Sequence, residues 1–253
     1  MDPYLLITEN VSIFEQLKIE VGFLRTQKKN LIWINMGSKE SCVLGISSKI
    51  EELLDLEKAK NRSCEVIRRY SGGGTVVVDS DTIFVTFIFN LEDLGLPPFP
   101  QPLMEWSKQF YARFMGSIGF DLKENDYVID EKKFGGNAQY LTKGRCVHHS
   151  TLLFDMNEEL MQILTLPKKR PIYRQERDHH AFLTLLKAHF PTKKNFVENL
   201  IDSIEQTFNI ELVSLDQIKS QLTTPYRQST HTIDLSSLSH SAHQSQIDQK
   251  MLV

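Results

Sequence analysis

Residues 81–90, with the sequence DTIFVTFIFN, are apolar on both alternating sides of an extended chain. A strand with one face in water alternates apolar and polar residues, whereas a strand covered on both faces is a nearly continuous apolar run. We therefore predict that this segment is a central strand, with helices on one face and a second layer on the other. The chain has 253 residues, of which 41% are hydrophobic, and this is enough for a sizeable core in one large domain or two small ones.

The remaining segments alternate between helical and extended patterns. Apolar runs at 31–37 and 41–48 predict a strand pair, and residues 132–156 predict a long hairpin. Ser12 is the expected N-cap of the first helix, and Gln16 is its expected capping-box partner. The segments with apolar residues at helical spacing are 12–27, 49–61, 104–119, 178–190 and 193–209. Together these patterns predict an α/β fold of the α+β type, with mixed, largely antiparallel sheets packed by helices.

Charge and cysteine content exclude several classes of protein. The formal net charge is only −3, so no global positive field attracts nucleic acid or an anionic membrane. Cys42, Cys64 and Cys146 are too few and too scattered for a disulfide framework, and none forms a CxxC pair typical of zinc sites. The N-terminal residues lack the pattern of a signal peptide, and no segment is long enough to span a bilayer. We therefore expect a cytoplasmic protein without nucleic-acid or membrane partners.

The composition changes near the C-terminus. Residues 225–253 are rich in Ser, Gln and His and almost free of large apolar side chains, which predicts a flexible tail. The spacing of His231, His240 and His243 in this tail fits no standard metal site. We therefore assign the folded domain to residues 1–224.

Residues 68–79, with the sequence RRYSGGGTVVVD, join two arginines to three consecutive glycines. Each glycine costs on the order of 1 kcal/mol relative to alanine in a regular element, so a compensating interaction is expected. Arg68 and Arg69 add positive charge beside main-chain N–H groups that no side chain covers, which suits an anion such as phosphate. The segment has neither the end of a P-loop nor the spacing of a Rossmann GxGxxG. Taken alone, it leaves both a phosphate site and a tight structural turn open.

A second segment, EKKFGGNAQYLTKGRCVHHSTLLF at 131–154, again combines cations with paired glycines. Lysine is a compact point charge that can hold two oxygens from different groups, and Lys133 stands just before the glycines. His148 and His149 lie on opposite faces of a regular strand, so at most one of them faces a pocket. We predict that His149 is that residue.

The two segments together resemble the lipoate protein ligase family, which shares the fold of biotin and lipoate ligase catalytic domains. Residues 68–79 match its RRxSGGGxVxxD segment. Residues 133–138 match KxxGxA, and residues 148–153 match HHGTLL with Ser150 in place of the last glycine. The resemblance covers about residues 10–215, and it implies a ligase-like catalytic domain. Many ligases of the family carry a separate C-terminal accessory domain, and we expect none here, because only a short helical region and the tail follow the catalytic core.

The resemblance implies that lipoate attacks ATP to form lipoyl-AMP, from which the acyl group passes to a lysine of a lipoyl domain. Lys133 is implied to be catalytic, because it would bridge the lipoate carboxylate and the α-phosphate. The implied binding residues are Arg69, Ser71, Gly72, Gly73, Gly74, Thr75, Val76, Val77, Gly136, Asn137, Ala138 and His149. Magnesium is the implied metal, and Asp79 is either one of its ligands or the cap of a turn. The implied partners are lipoyl domains of 2-oxoacid dehydrogenase complexes or glycine cleavage H protein, with a separate accessory protein as a further possibility.

Three features leave alternatives open. Residues 45–49 are GISSK where the family commonly has GRxQN, so one set of polar contacts differs. The short region after the catalytic core is compatible with an adenylate-binding protein that needs a partner for activity. It is also compatible with an octanoyl or lipoyl transferase that uses a Cys146 thioester, although a buried strand cysteine is the more ordinary interpretation. The basic run 167–177 is either a solvated face or a docking surface for an acidic lipoyl domain.

Overall fold

A computed structural model of the chain describes residues 1–166 and 170–237. The strands are β1 (Tyr4–Glu9), β2 (Leu31–Met36), β3 (Ser41–Leu44), β4 (Glu65–Arg68), β5 (Val76–Val78), β6 (Thr82–Asn90), β7 (Phe120–Lys123), β8 (Asp126–Ile129), β9 (Lys132–Leu141), β10 (Arg145–Leu153), β11 (Glu211–Val213) and β12 (His231–Thr232). The α-helices are α1 (Ile13–Thr26), α2 (Ile50–Leu53), α3 (Leu56–Asn61), α4 (Leu91–Leu94), α5 (Pro100–Met115), α6 (Glu158–Met161), α7 (His179–Phe182), α8 (Lys193–Thr207) and α9 (Leu215–Gln221). Short 3-10 helices lie at Gly116–Ile118, Ile172–Arg174 and Leu186–Ala188.

Within the described residues, the strands form two sheets. The larger has eight strands in the order β11-β1-β2-β6-β10-β9-β8-β7, and the smaller has four in the order β12-β4-β3-β5. The pairs β1–β11, β1–β2 and β3–β4 are parallel and the others are antiparallel. The prediction of mixed, largely antiparallel sheets packed by helices is therefore confirmed. The strand pair predicted from 31–37 and 41–48 is wrong, because β2 pairs with β1 and β6 in the larger sheet, whereas β3 pairs with β4 and β5 in the smaller one.

Strand β6 is central, as its two-sided apolar pattern predicts, since it pairs with both β2 and β10. Its odd-numbered residues, such as Phe87 and Phe89, pack in the cluster that contains Phe110 of α5 and Leu200 of α8. Its even-numbered residues, such as Phe84, pack in a second cluster with α1 and the smaller sheet. The smaller sheet is therefore the second layer, and β10, beside β6, carries its own alternating side chains into both clusters.

Two predicted helices are interrupted because tertiary pairing overrides helical spacing. The helix predicted over 49–61 is divided into α2 and α3, because Leu54 forms a β-bridge with Leu164 and Asp55 caps α3. The helix predicted over 178–190 ends at Phe182, because Leu183 forms a bridge with Lys133 of β9. Both predictions were wrong at these interior positions.

Ser12 is the N-cap residue of α1, as predicted, but the predicted capping box is wrong. The Ser12 side chain makes no capping hydrogen bond within the described structure, and the Ile13 N–H donates instead to Ser38 Oγ at 2.9 Å. Gln16 is buried rather than free to cap, and its side-chain amide donates to Glu20 Oε1 at 3.0 Å. The helix start is therefore fixed by a residue from the loop after β2, a contact that local spacing cannot reveal.

The first part of the predicted tail packs on the domain. His231 of β12 pairs with Arg68 of β4, and the Tyr226 hydroxyl donates to the Lys18 carbonyl at 3.3 Å. Ile233 packs against the apolar cluster of the smaller sheet. A flexible tail from residue 225 is therefore wrong for 226–237, while residues 238–253, with His240 and His243, lie outside the described part. Among the described helices, none is both long and apolar enough to cross a membrane.

Candidate active site

The glycine segment connects β4 to β5, which both pair with β3. Arg69 is buried at the start of this turn, and its Nη2 donates to the carbonyls of Gly72 at 2.6 Å and Gly74 at 2.8 Å. Its Nε donates to Ser71 Oγ at 3.0 Å. Burial lowers the pKa of Arg69 to about 10, which still leaves a cation at neutral pH. Arg69 therefore holds the turn in shape and supplies a positive charge behind it.

The three glycines of the turn have different roles. Gly73 has φ of +100°, and a Cβ there would lie 2.8 Å from Arg69 Nη2 and 3.4 Å from Ala138 Cβ. At Gly72 and Gly74, an added Cβ would meet no atom of the described residues within 4 Å. Gly73 is thus required by backbone conformation and by its contact with β9. Gly72 and Gly74 instead leave bare main chain beside open space, where a ligand can approach.

A hydrogen-bonded relay connects this turn to the buried face of α1. Ser71 Oγ lies 2.9 Å from His149 Nε2, and His149 Nδ1 lies 3.0 Å from Glu20 Oε2. The Tyr70 hydroxyl donates to the same Glu20 oxygen at 2.9 Å. Burial raises the pKa of Glu20, but the interactions with His149 and the hydrogen bonds from Thr86 and Gln16 together outweigh it, so the pKa is lowered. His149 therefore contacts the turn, on the face predicted for it.

The relay has the order of a Ser-His-Glu triad, but its environment favours a structural role. Ser71 is fully buried, and its oxygen already accepts from Arg69 Nε. A nucleophile needs access to substrate, which this hydroxyl lacks. Sequence reasoning missed Glu20, although an available signal was its position seven residues after Ile13, on the apolar stripe of α1. A carboxylate on such a stripe must find buried partners.

Lys133 lies at the start of β9, with 24% of its side chain exposed. Its Nζ is 2.8 Å from Asp126 Oδ1, and the Tyr173 hydroxyl donates to Asp126 Oδ2 at 2.9 Å. Nζ would also lie 3.3 Å from a Cβ at Gly136, so the ammonium lies over that glycine. Sequence reasoning missed Asp126, because only the pairing of β8 with β9 brings it to Lys133. The Lys133 ammonium therefore forms an ion pair with Asp126, and its side chain remains partly exposed.

The other residues of β9 and β10 divide between the two sheet faces. His148 lies on the face opposite to His149, as predicted, with its Nε2 3.0 Å from the Tyr127 hydroxyl. Burial lowers the pKa of His148 to about 3, so it is neutral and structural. Asn137 is engaged within the protein, because its Oδ1 accepts from Ser150 Oγ at 2.6 Å. Ala138 lies close to the glycine turn, because a Cβ added at Gly73 would be 3.4 Å from the Ala138 Cβ.

The family model for the lipoyl protein ligase A/B catalytic domain matches residues 12–209. The chain belongs to this family. It is 25% identical to inactive lipoate–protein ligase 2 of Plasmodium falciparum, over 83% of this chain and 71% of that protein. It spans about half the length of other curated relatives that it matches.

Solved structures with the same fold come from lipoate ligases. A lipoate-protein ligase A bound with ATP superposes with a TM-score of 0.73 at 17% identity, over 88% of this chain and 93% of that chain. A bipartite lipoate protein ligase from Thermoplasma acidophilum, studied with its E2 lipoyl domain, gives a TM-score of 0.70 at 18% identity, over 88% of this chain and 91% of that chain. At these identities, the likeness shows the fold alone. The predicted fold and family are therefore both confirmed.

Cys146 is unsuited to be the nucleophile of the transferase alternative. It is fully buried among apolar side chains, in the cluster on the sheet face opposite to His149 and the glycine turn. Burial raises the pKa of its thiol to about 11, so the reactive thiolate is scarce at neutral pH. Cys146 therefore offers no accessible thiol for a thioester.

Asp79 caps the turn between β5 and β6. Its Oδ1 accepts from the Asp81 N–H at 2.9 Å and from Thr82 Oγ1 at 3.0 Å, while burial raises its pKa. In residues 1–166 and 170–237, no group of three or more His, Cys, Asp or Glu is arranged to hold a metal ion. A cavity of about 390 Å³ beside Asp79 includes neither Lys133 nor the glycine turn. Of the two roles considered for Asp79, the turn cap is the one that these hydrogen bonds support.

Proposed function

We propose that this protein activates lipoate as lipoyl-AMP and transfers the lipoyl group to a lysine of a lipoyl domain. Membership of the family supports the reaction class, and the ATP bound to a ligase of the same fold supports the nucleotide. The observation that carries the proposal is the close approach of Gly73 to Ala138, which brings the bare glycine turn to the strand of Lys133: a Cβ added at Gly73 would lie 3.4 Å from the Ala138 Cβ. On this proposal, main-chain donors of the turn and the Lys133 ammonium, from separate parts of the chain, would act on the same pair of anions.

The chemistry requires two anions to meet, and this arrangement offsets their repulsion. A lipoate carboxylate oxygen forms a bond to the α-phosphorus, and pyrophosphate leaves with the electrons of the broken P–O bond. Lys133 would exchange Asp126 for one carboxylate and one α-phosphate oxygen, since a partly exposed ammonium can change partners. The N–H groups beside Gly72 and Gly74 would hold phosphate oxygens. The buried Thr75 hydroxyl, which has no hydrogen-bond partner among the described residues, would add a donor or acceptor. The neutral amine of the acceptor lysine then attacks the acyl carbonyl, AMP leaves, and the amine loses a proton.

Magnesium is proposed to enter with the phosphates of ATP. Magnesium sites of this kind use one or two carboxylates together with substrate oxygens and water. Asp79 is committed to its turn by two hydrogen bonds to Oδ1, so we do not assign it to the metal. The ion would neutralise phosphate charge, while the residues of the chain orient the carboxylate.

A second candidate is an adenylate-binding protein that requires a partner chain for activity. The name of the P. falciparum relative, an inactive ligase, and the bipartite ligase of the same fold both favour it. Lipoyl domains of 2-oxoacid dehydrogenases, or glycine cleavage H protein, are the proposed acceptors in either case. The cytoplasm remains the predicted location.

Incubation of pure protein with lipoate, MgATP and a lipoyl domain tests these proposals, with pyrophosphate and acylated domain as readouts. A parallel reaction contains glycine cleavage H protein as the acceptor. The ligase predicts both products, and the Lys133→Met variant predicts neither. Pyrophosphate without acylated acceptor would favour the partner-dependent candidate. No pyrophosphate and no binding of ATP or lipoate would refute both.

A further inference from the structure

Two of the three cysteines meet in the smaller sheet. Cys42 lies on β3, and Cys64 lies just before β4, which pairs in parallel with β3. Their sulfur atoms are 3.2 Å apart, although the two residues are separated by 22 positions in the chain. A disulfide bond is about 2.0 Å long, so a small movement of either side chain brings the sulfurs to bonding distance. The proposed function gives this pair no role.

The pair lies in the sheet from which the glycine turn begins. Cys42 is opposite Val66 of β4 and Val77 of β5 in the register of this sheet. Both cysteines belong to the apolar cluster of the smaller sheet, so their side chains share one face. A bond between them would link β3 to the residue that precedes β4, and it would hold together two of the strands that support the turn.

Cys64 is the member of the pair that a small reagent reaches first. It is 6% exposed, whereas Cys42 is 0% exposed. Cys64 follows the turn at the end of α3, in which Ser63 is exposed, and its N–H donates to the Ala59 carbonyl at 3.0 Å. Helix ends and turns open locally at a much lower free energy than the whole domain. Opening of this one turn therefore uncovers the Cys64 sulfur while the sheet stays paired.

The contact between the two sulfurs also favours reaction at Cys64. A hydrogen bond from the Cys42 thiol lowers the pKa of Cys64, and Arg62 acts in the same direction, while burial and Glu40 oppose this shift. The same contact, together with burial, raises the pKa of Cys42. The thiolate is the form that attacks a disulfide. The more exposed cysteine is therefore also the more reactive of the two.

We propose that Cys42 and Cys64 form an oxidation site, at which a low-molecular-weight disulfide converts the two thiols into an intramolecular disulfide that stabilises the smaller sheet. The Cys64 thiolate attacks one sulfur of the small disulfide, forms a mixed disulfide and releases one thiolate. Cys42 loses its proton to water, attacks the Cys64 sulfur and releases the second thiolate. The two cysteines lose two protons and two electrons in all, and the small disulfide is reduced to two thiols. This proposal does not depend on the proposed function.

Incubation of the full chain with glutathione disulfide tests the proposal, when the remaining thiols are then alkylated in denaturant and the peptides are identified by mass spectrometry. The expected product has one bond, between Cys42 and Cys64, and an alkylated Cys146. Cys42→Ala should accumulate a glutathione adduct at Cys64, whereas Cys64→Ala should form neither the bond nor an adduct at Cys42. Cys146→Ala is the matched control, because it removes a buried cysteine of the other apolar cluster, and it should form the bond as the wild type does.

Thermal unfolding measures the effect of the bond on stability. The bond closes a loop of 22 positions and so constrains the unfolded chain, which predicts that oxidation raises Tm by about 5–10 °C. The rise should disappear when dithiothreitol reduces the bond, and it should be absent in Cys64→Ala. Three alkylated cysteines in the oxidant-treated wild type, or a bond that includes Cys146, overturn the proposal and leave the proposed function intact. A wild type that forms the bond without a change in Tm overturns the stabilising role.

Discussion

Replacement of Glu20 by Gln tests whether the relay behind the glycine turn determines its stability. Oε1 of Glu20 accepts from Gln16 and Thr86, and Oε2 accepts from Tyr70 and His149. Glutamine has the same shape, but one of its terminal atoms is an NH2 group that cannot accept. Whichever oxygen is lost, two buried donors lose their acceptor, at about 1–3 kcal/mol each. We therefore expect the free energy of unfolding to fall by about 2–6 kcal/mol, which is a large fraction of the total for an ordinary domain.

Urea unfolding followed by circular dichroism measures this loss, and Glu15→Gln is the matched control. Glu15 is on the same helix, but 44% of its side chain is exposed and it pairs with Lys219 at the surface. An exposed pair of this kind contributes about 0–1 kcal/mol, so the control should unfold nearly as the wild type does. Equal unfolding midpoints for the two variants would refute the argument that buried donors depend on Glu20.

The pH dependence supplies an independent check of the same residue. The folded pKa of Glu20 is lowered, so its contribution is complete above the ordinary glutamate pKa, about 4.3. This contribution is lost as the pH falls through the folded value, because the unfolded chain takes up the proton first. The stability difference between wild type and Glu20→Gln should therefore shrink below about pH 4. A difference that is constant down to the acid transition would contradict an ionised Glu20.

Four further changes test the site itself. Lys133→Met should abolish pyrophosphate release while shifting the unfolding midpoint little, because the side chain is partly exposed; turnover near the wild-type rate would remove its assigned role. Gly73→Ala should destabilise the fold by about 1 kcal/mol or more through its positive φ and its clash with Arg69. Gly72→Ala should leave the unfolding midpoint unchanged and weaken ATP binding. If Gly72→Ala destabilises the fold and Gly73→Ala does not, the roles assigned to the two glycines are wrong. Cys146→Ala should keep turnover per folded molecule, and loss of acyl transfer would restore the thioester route.

The central position of β6 and the faces of the strands follow from patterns that are local in the sequence, whereas the pairing of β2 and β3 with other strands does not. The apolar run of β6 required cover on both faces, and the structure provides it. The period of two placed His148 and His149 on opposite faces, which also holds. The helices predicted over 49–61 and 178–190 failed where Leu54 and Leu183 form bridges with distant residues. Helical spacing is judged over a short stretch of sequence, so it cannot reveal a β-bridge to a residue that is distant in the chain.

The sequence by itself determined a layered fold, a bare main-chain turn beside arginines, and a lysine next to glycines. Only the tertiary structure decided that Gly73 is the glycine required by backbone and packing, and that Gly72 and Gly74 face open space. It also brought Glu20 to His149 across 129 positions of the chain. The physical reason is that hydrogen bonds and close contacts depend on which elements meet in space. Local composition constrains the shape of each element, while the pairing of β9 with its neighbours sets what the site can hold.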